Sequence, residues 1–520
     1  MQVPNVLTGT AGICQVKIIK FFLFLSLLPL AFSCVTVRED YPDPEPSFAS
    51  EPAVSGPFAE LDSAFSRQHG SEKSGFLLLE NNWESLKWRL ALIDEARHSL
   101  DVQTYLWYAD DSGRLILKRC LDAANRGVRV RLISDGLILI GDGKSIAAID
   151  THPNIEVRIF NPFEQKRFNR SLKKRQTLER FNYRMHNKLI VADNHITILG
   201  GRNLGDEYFG LNQKFNFHDL DVLGLGPAAH QMSRIFDHFW NSTWMVPGNA
   251  YDTEIPEGYF QQAEQALVQD LEQSKVLQNF PLERQDWTAR LEALPAQLKT
   301  GTSSKVYDKL EPEDIDQRMA TELPEFSKTA QKEILIVNAY LIPDDEMLEE
   351  ASKMVQRGVN LRIITNSLSS QDVPAVNSHY GPYRKRLLEA GIDLYELRHD
   401  AAVKSEVDTP PVVSGFVGLH SKASTVDRSR AFIGSYNLDP RSRNINTEMG
   451  IVIDSPELGE ELAQKIEYLM QPENSWRVQL DKKGNVIWVS GDKILTRQPA
   501  QSFWQRVQDV FFKLFPKEYY

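Results

Sequence analysis

Apolar positions along the chain follow two periods in turn. "NWESLKWRLALIDEARHSL" carries them at helical spacing, "SLDVQTYLWY" continues as a strand, and "DSGRLILKRCLDAANRGVRVRLISDG" reads as helix, turn and strand. Much the same order returns in "EILIVNAYLIPDDEMLEEASKMVQRGVNLRIITNSL", where "RGVNLRII" answers "RGVRVRLI". The alternation predicts an α/β fold of two related halves, each a mixed β-sheet flanked by helices. The pattern puts these halves at 73–247 and 329–486. A helical, linker-like connection is expected over 248–328, from "QQAEQALVQDLEQSKVLQ" and "KTGTSSK". Residues 35–72, rich in Pro, Glu and Ser, predict a flexible tether. Residues 487–520 predict an amphipathic tail, with Phe503, Val507, Val510 and Leu514 at helical spacing and Trp504, Phe511 and Phe515 alongside.

The first 34 residues break this pattern. They hold no acid, carry Lys17 and Lys20, and run apolar from Phe21 to Ser33 before Cys34. A membrane span needs about 20 apolar residues, so this shorter run reads as an export signal over 1–34. "AFSC" also has the look of a lipoprotein signal, which makes Cys34 a candidate lipidation site; an uncleaved anchor is the remaining reading. Export predicts a membrane-associated protein on the periplasmic face of a bacterium. Elsewhere the composition, 42% hydrophobic and 25% charged, is that of a globular protein. A formal charge of −11, more acidic once the signal is gone, disfavours a general nucleic-acid binder. Cys120 is the one cysteine beyond the signal, so neither a disulfide nor a cysteine zinc site is available. Basic residues gather between Lys166 and Arg184; Lys173, Lys174 and Arg175 lie at the centre, suited to anionic headgroups or to a solvated loop.

The chemistry sits in a doubled motif. His186, Lys188 and Asp193 follow H-x-K-x4-D, and "GGRN" begins seven positions after the Asp. His420, Lys422 and Asp427 repeat the spacing, with "GSYN" again seven positions on. One copy carries little weight, but two extended copies in equivalent places of a repeat point to a single shared site between the halves. Period-2 geometry puts each His and Lys on one strand face, where an ammonium beside an imidazole requires an anion. The lysines supply point charges for phosphate oxygens, and the Asn203 and Asn437 amides add donors. Two imidazoles can divide the work: one attacks phosphorus, and the other protonates the leaving alcohol. No metal and no cofactor is expected, because side chains provide the positive charge. Aligning the closing "GP" and "SP" matches Asp219 with Glu448 as orienters of the imidazoles, within or across the halves, with Asp221 in reserve. Asp193 and Asp427 complete the catalytic motifs, more as turn supports than as chemical participants.

Paired H-x-K-x4-D with G-x-x-N resembles the phospholipase D superfamily from about Gly75 to Val486. Within it the chain is most similar to the bacterial cardiolipin synthases of the C type. The resemblance is carried by "DVQTYLWYADDSGR", "HPNIEVRIFNPF", "RMHNKLIVAD", "GGRNLGDEYFG", "IGSYNLDPRSRNINTEMG" and the tail "SFWQRV". It implies His186 as nucleophile and His420 as acid and base, an assignment the residues alone leave open. It also implies phosphatidyl transfer to phosphatidylglycerol, giving cardiolipin from phospholipid substrates at a membrane surface. Trp504 and the basic run are the expected membrane contacts. The alternatives are a phospholipase D hydrolase, a nuclease of the same superfamily, and a catalytically silent lipid-binding protein.

Overall fold

The computed structural model describes residues 44–137, 143–162, 182–251, 254–311 and 314–517. The export segment with Cys34, and Lys173, Lys174 and Arg175 of the basic run, lie outside these residues. Among the described residues, eighteen strands hydrogen-bond into one continuous sheet. In the first half, Ser99–Thr104, Arg129–Asp135 and Ile155–Phe160 run parallel. Beyond Ser99–Thr104 the sheet continues antiparallel through Leu189–Ala192, Ile196–Gly200, Asp221–Leu225 and Ser74–Leu79. The second half repeats the plan. Glu333–Asn338, Asn360–Asn366 and Asp393–Leu397 run parallel; Lys422–Val426, Arg430–Gly434, Met449–Asp454 and Lys299–Tyr307 follow antiparallel. Helices Asp111–Asn125 and Asp345–Gln356 make the equivalent crossovers. Each is opened by an Asp, Asp110 or Asp344, whose carboxylate accepts the N–H three residues on.

Three boundaries differ from those the sequence predicts. Lys299–Tyr307, inside the expected connection, is a full strand and the counterpart of Ser74–Leu79. Thr302–Tyr307 pair with Met449–Asp454, and Lys299–Gly301 pair with Ser74–Phe76. The second half therefore begins well before 329. This strand shows no apolar alternation because backbone pairing with two successive partners holds it, with few side chains buried. The expected tether is, from residue 44, part of the first half. Ser47 and Ala49 donate backbone N–H groups to Asn241 Oδ1 and Asp237 Oδ1, both at 2.9 Å, and helix Pro57–His69 buries Phe58 and Phe65. Its polar composition hid two phenylalanines seven apart, one stripe of a helix. The tail also begins later: Val486–Ser490 and Lys493–Leu495 are strands that extend the second half, and the helix is confined to Phe503–Phe512.

The halves share a core. Helices Pro227–Trp240 and Pro456–Leu469 bury Ile235, Phe236 and Phe239, and Leu458, Leu462 and Ile466, in one cluster with strand residues of both halves such as Val222 and Ile451. Close to the catalytic motifs, Phe215–His218 pairs in parallel with Phe416–Leu419, and Phe215 stacks on Phe416 at 5.2 Å. This two-stranded seam leads into His218–Asp219 from one half and His420 from the other.

Candidate active site

Local geometry explains the motif spacing. After Lys188 the chain forms Leu189–Ala192 and then a tight turn whose two central residues, Asp193 and Asn194, have φ of 51° and 56°. Asp427 and Arg428 repeat it at 50° and 54°. Positive φ at both central positions is the turn that matches strand twist, and Asp and Asn tolerate it. The Asp193 carboxylate accepts backbone N–H groups from Arg97, His98 and Ser99 at 2.7–3.2 Å, and Asp427 accepts those of Gln331, Lys332 and Glu333 at 2.7–3.0 Å. Each therefore ties the hairpin to the start of the first parallel strand. The Asp193 and Asp427 oxygens are thus engaged by backbone N–H groups at the turn.

The histidines come together by exchange between the halves. His186 Nδ1 lies 2.8 Å from Glu448 Oε2, and His420 Nδ1 lies 2.6 Å from Asp219 Oδ2. Backbone bonds reinforce the exchange. His186 N–H donates to Thr447 O at 2.9 Å, and His420 N–H donates to His218 O at 2.8 Å. Each carbonyl belongs to the residue just before the carboxylate that the same imidazole meets. Lys188 and Lys422 turn back to donate to the carbonyls of His186 and His420. Asp221, the reserve orienter, is occupied elsewhere: its carboxylate accepts from Ser85, Arg89 and Arg202.

Burial dominates the electrostatics. It lowers His186 to about 4 and His420 to about 3, although Glu448 and Asp219 pull in the other direction. It also lowers Lys422 to about 8 and Lys188 well below the ordinary lysine value. Burial would raise both carboxyls, yet His420 and Lys422 hold Asp219 below the usual carboxylate range, and His186 and Lys188 hold Glu448 below it. Donation from Nδ1 to an ionised carboxylate leaves each Nε2 with a lone pair. Asn203 and Asn437 are both buried; Asn203 Oδ1 accepts from Leu106 N–H at 3.2 Å, whereas Asn437 Oδ1 has no hydrogen-bond partner among the described residues. Among the described residues, the one grouping with metal-like spacing is Asp62, His195 and His230, apart from the two imidazoles. His195 there already uses both nitrogens, toward Asp62 at 2.7 Å and Ala53 O at 2.8 Å.

Several supporting residues carry no motif of their own in the sequence. Ser435 and Ser442 hydroxyls donate to Glu448, and Asp308, just past strand Lys299–Tyr307, accepts the Glu448 N–H at 2.9 Å. The two halves differ here. Gly201 stands where Ser435 does, and a Cβ on it would collide with Asp219 Oδ1. Tyr105 packs edge-on to His186 at 5.0 Å, and Tyr340 to His420 at 6.4 Å; both follow the first parallel strand of their half, in "TYLW" and "AYLI". That repeat was the signal available. Arg202 is fully buried and donates to Leu79 O, Tyr208 O, Asp219 O, Asn82 Oδ1 and Asp221 Oδ2. Arg202→Leu would leave Asp221 buried with Arg89 as its remaining cation. It should lower stability by about 3–5 kcal/mol, read as a fall in the urea midpoint, and an unchanged midpoint would reject this role.

A duplicated α/β unit whose paired H-x-K-x4-D motifs exchange carboxylates defines a phospholipase D-like protein with two such halves. The chain belongs to the family described as "Cardiolipin synthase, PLD-like domain", whose model matches residues 90–240 and 325–470. It is 34% identical over 461 residues to cardiolipin synthase C of Escherichia coli K12, a match covering 86% of this chain and 96% of that protein. It is 25% identical over 393 residues to cardiolipin synthase 1 of Bacillus cereus, covering 75% of this chain and 65% of the relative. The solved structure of a phosphatidylserine synthase from Haemophilus influenzae Rd KW20 shares the fold at a TM-score of 0.53 and 14% identity, covering 79% of this chain and 91% of that one. Among the described residues, no helix is long and apolar enough to cross a membrane.

Proposed function

We propose that the protein is a phosphatidyltransferase that makes cardiolipin from phosphatidylglycerol and a phospholipid donor through a covalent phosphohistidine. The observation that carries this reading is the exchange of orienting carboxylates, which gives two imidazoles with fixed tautomers in one buried site. His186 Nε2 attacks the donor phosphorus; the P–N bond forms as the bond to the headgroup oxygen breaks, and His420 gives that oxygen a proton. His420 then takes the proton of the incoming hydroxyl, whose oxygen displaces His186. Burial and the Lys422 charge disfavour the His420 imidazolium in the free site. A phosphodiester anion offsets the repulsion from Lys422 and favours the imidazolium paired with Asp219. Lys188 and Lys422 face the non-bridging oxygens. Both histidines and both lysines are buried, which favours a lipid hydroxyl over bulk water as acceptor.

The test is incubation of the full-length protein with vesicles of phosphatidylethanolamine and phosphatidylglycerol, followed by lipid analysis. Cardiolipin is expected; phosphatidic acid instead would replace transfer by hydrolysis, and neither product would end the enzyme reading for these lipids. The charge of Lys422 adds a pH dependence. A lysine lowered to about 8 is cationic below that pH and neutral above it. kcat/KM, which reports the free enzyme, is therefore expected to fall as pH rises through about 8, chiefly through KM. A profile that stays level well above that pH would show that this charge does not serve substrate binding.

A further inference from the structure

The C-terminal helix Phe503–Phe512 is attached by its polar side. Asp509 is buried and accepts from Asn377 Nδ2 and, at 2.8 Å, from Gln498 Nε2. Gln501 and Gln505 donate to the carbonyls of Ser369 and Leu368. Only Phe512 of its large apolar side chains is buried in the protein. Phe503, Trp504, Val507 and Val510, with Leu514 just beyond, face outward; Trp504 is 64% and Leu514 80% exposed. A helix that stabilised the domain by burial would show the opposite arrangement. Arg506 and Lys513 flank the exposed face with positive charge.

The helix rests on a segment that reaches the active site. Within a few residues of Leu368 and Ser369, Asp372 accepts the Tyr340 hydroxyl at 2.8 Å, and the Tyr340 ring stands edge-on to His420 with Lys422 Nζ 5.9 Å from its centre. We propose that this exposed face seats the protein on a phospholipid bilayer and so sets the active-site segment against the lipid surface that supplies its substrate. The inference rests on the phosphatidyltransfer reading for its substrate. Five apolar side chains on and just past one short helix fall well below the roughly 20 residues a side of a stable protein interface. An aromatic and aliphatic face flanked by cations, by contrast, fits the interfacial layer of an anionic membrane.

The tryptophans supply a direct probe. Of nine, Trp504 is the exposed one; seven are buried and Trp83 is half-buried. Full-length protein mixed with vesicles of phosphatidylglycerol and chain-brominated phosphatidylcholine should lose fluorescence, and Trp504→Phe should abolish that change. Equal quenching in the two proteins, or none in the wild type, would overturn the proposal. A second variant, Val510→Glu with Leu514→Glu, should lower turnover on vesicles about tenfold. Turnover of a short-chain phospholipid dispersed as monomers should stay the same. An equal fall on both substrates would show a merely structural helix. Conversion of a dimer to a monomer in sedimentation would assign the face to a second copy, and either result overturns seating on lipid. Quenching without cardiolipin synthesis would overturn the transfer reading alone.

Discussion

His186→Ala is expected to abolish transfer, lowering kcat by about 10,000-fold or more, because the proposed mechanism gives the P–N bond to His186. His420→Ala should be nearly as severe on natural phospholipids, whose leaving alkoxide needs a proton. The two losses separate on a donor with a good leaving group, such as a nitrophenyl phosphodiester. His420→Ala should still release nitrophenol once and then stall as a covalent adduct, since nothing activates the acceptor hydroxyl. That adduct would be stable to base and labile to acid, and it would map to His186 by mass. His186→Ala should give no burst and no adduct. The opposite pattern, an adduct on His420 in His186→Ala, would exchange the two roles and leave the rest of the chemistry standing. Full activity in either variant would reject the paired-histidine mechanism.

The doubled motif is legible in the sequence because its spacing is local geometry. His-x-Lys is one strand face, the four residues before Asp193 and Asp427 lie in the strand, and each Asp opens a left-handed turn. Asp219 and Glu448 are legible as a matched pair through the "GP" and "SP" that open helices Pro227–Trp240 and Pro456–Leu469. Which imidazole each meets is not, since that depends on how the halves face each other across the Phe215–His218 and Phe416–Leu419 seam. Lys299–Tyr307 is illegible for a different reason. Its Thr, Ser and Lys residues are partly exposed, and its place is fixed by partners 150 residues later and 225 earlier in the chain. Arg202 is hidden the same way: it looks like a spacer within G-x-x-N until Leu79 and Asn82 close around it.

The exchange of carboxylates makes the second large expectation, because it assigns each acid to the histidine of the opposite half. Glu448→Gln keeps the shape and most hydrogen bonds but removes the charge that fixes His186 with its proton on Nδ1. An amide at this position can present its oxygen or its NH2, so the favoured tautomer is lost. A fall of about 1,000-fold to 10,000-fold is expected, comparable to losing the buried acid behind a catalytic histidine elsewhere. Asp219→Asn should be as severe, but the two should fail at different steps. Glu448→Gln weakens the attacking imidazole, so formation of the adduct slows even with a nitrophenyl donor. Asp219→Asn removes the partner that stabilises the His420 imidazolium, so the adduct forms with that donor and persists. If the burst were lost in Asp219→Asn and kept in Glu448→Gln, the pairing of acids with histidines, or the roles of the histidines, would be reversed. Combining each acid variant with its histidine variant decides between those two. A Glu448→Gln change adds little to His186→Ala if the 2.8 Å contact is the functional one, and Asp219→Asn adds little to His420→Ala if the 2.6 Å contact is. Near-additive losses within a pair would mean that each acid acts somewhere other than on the imidazole it touches.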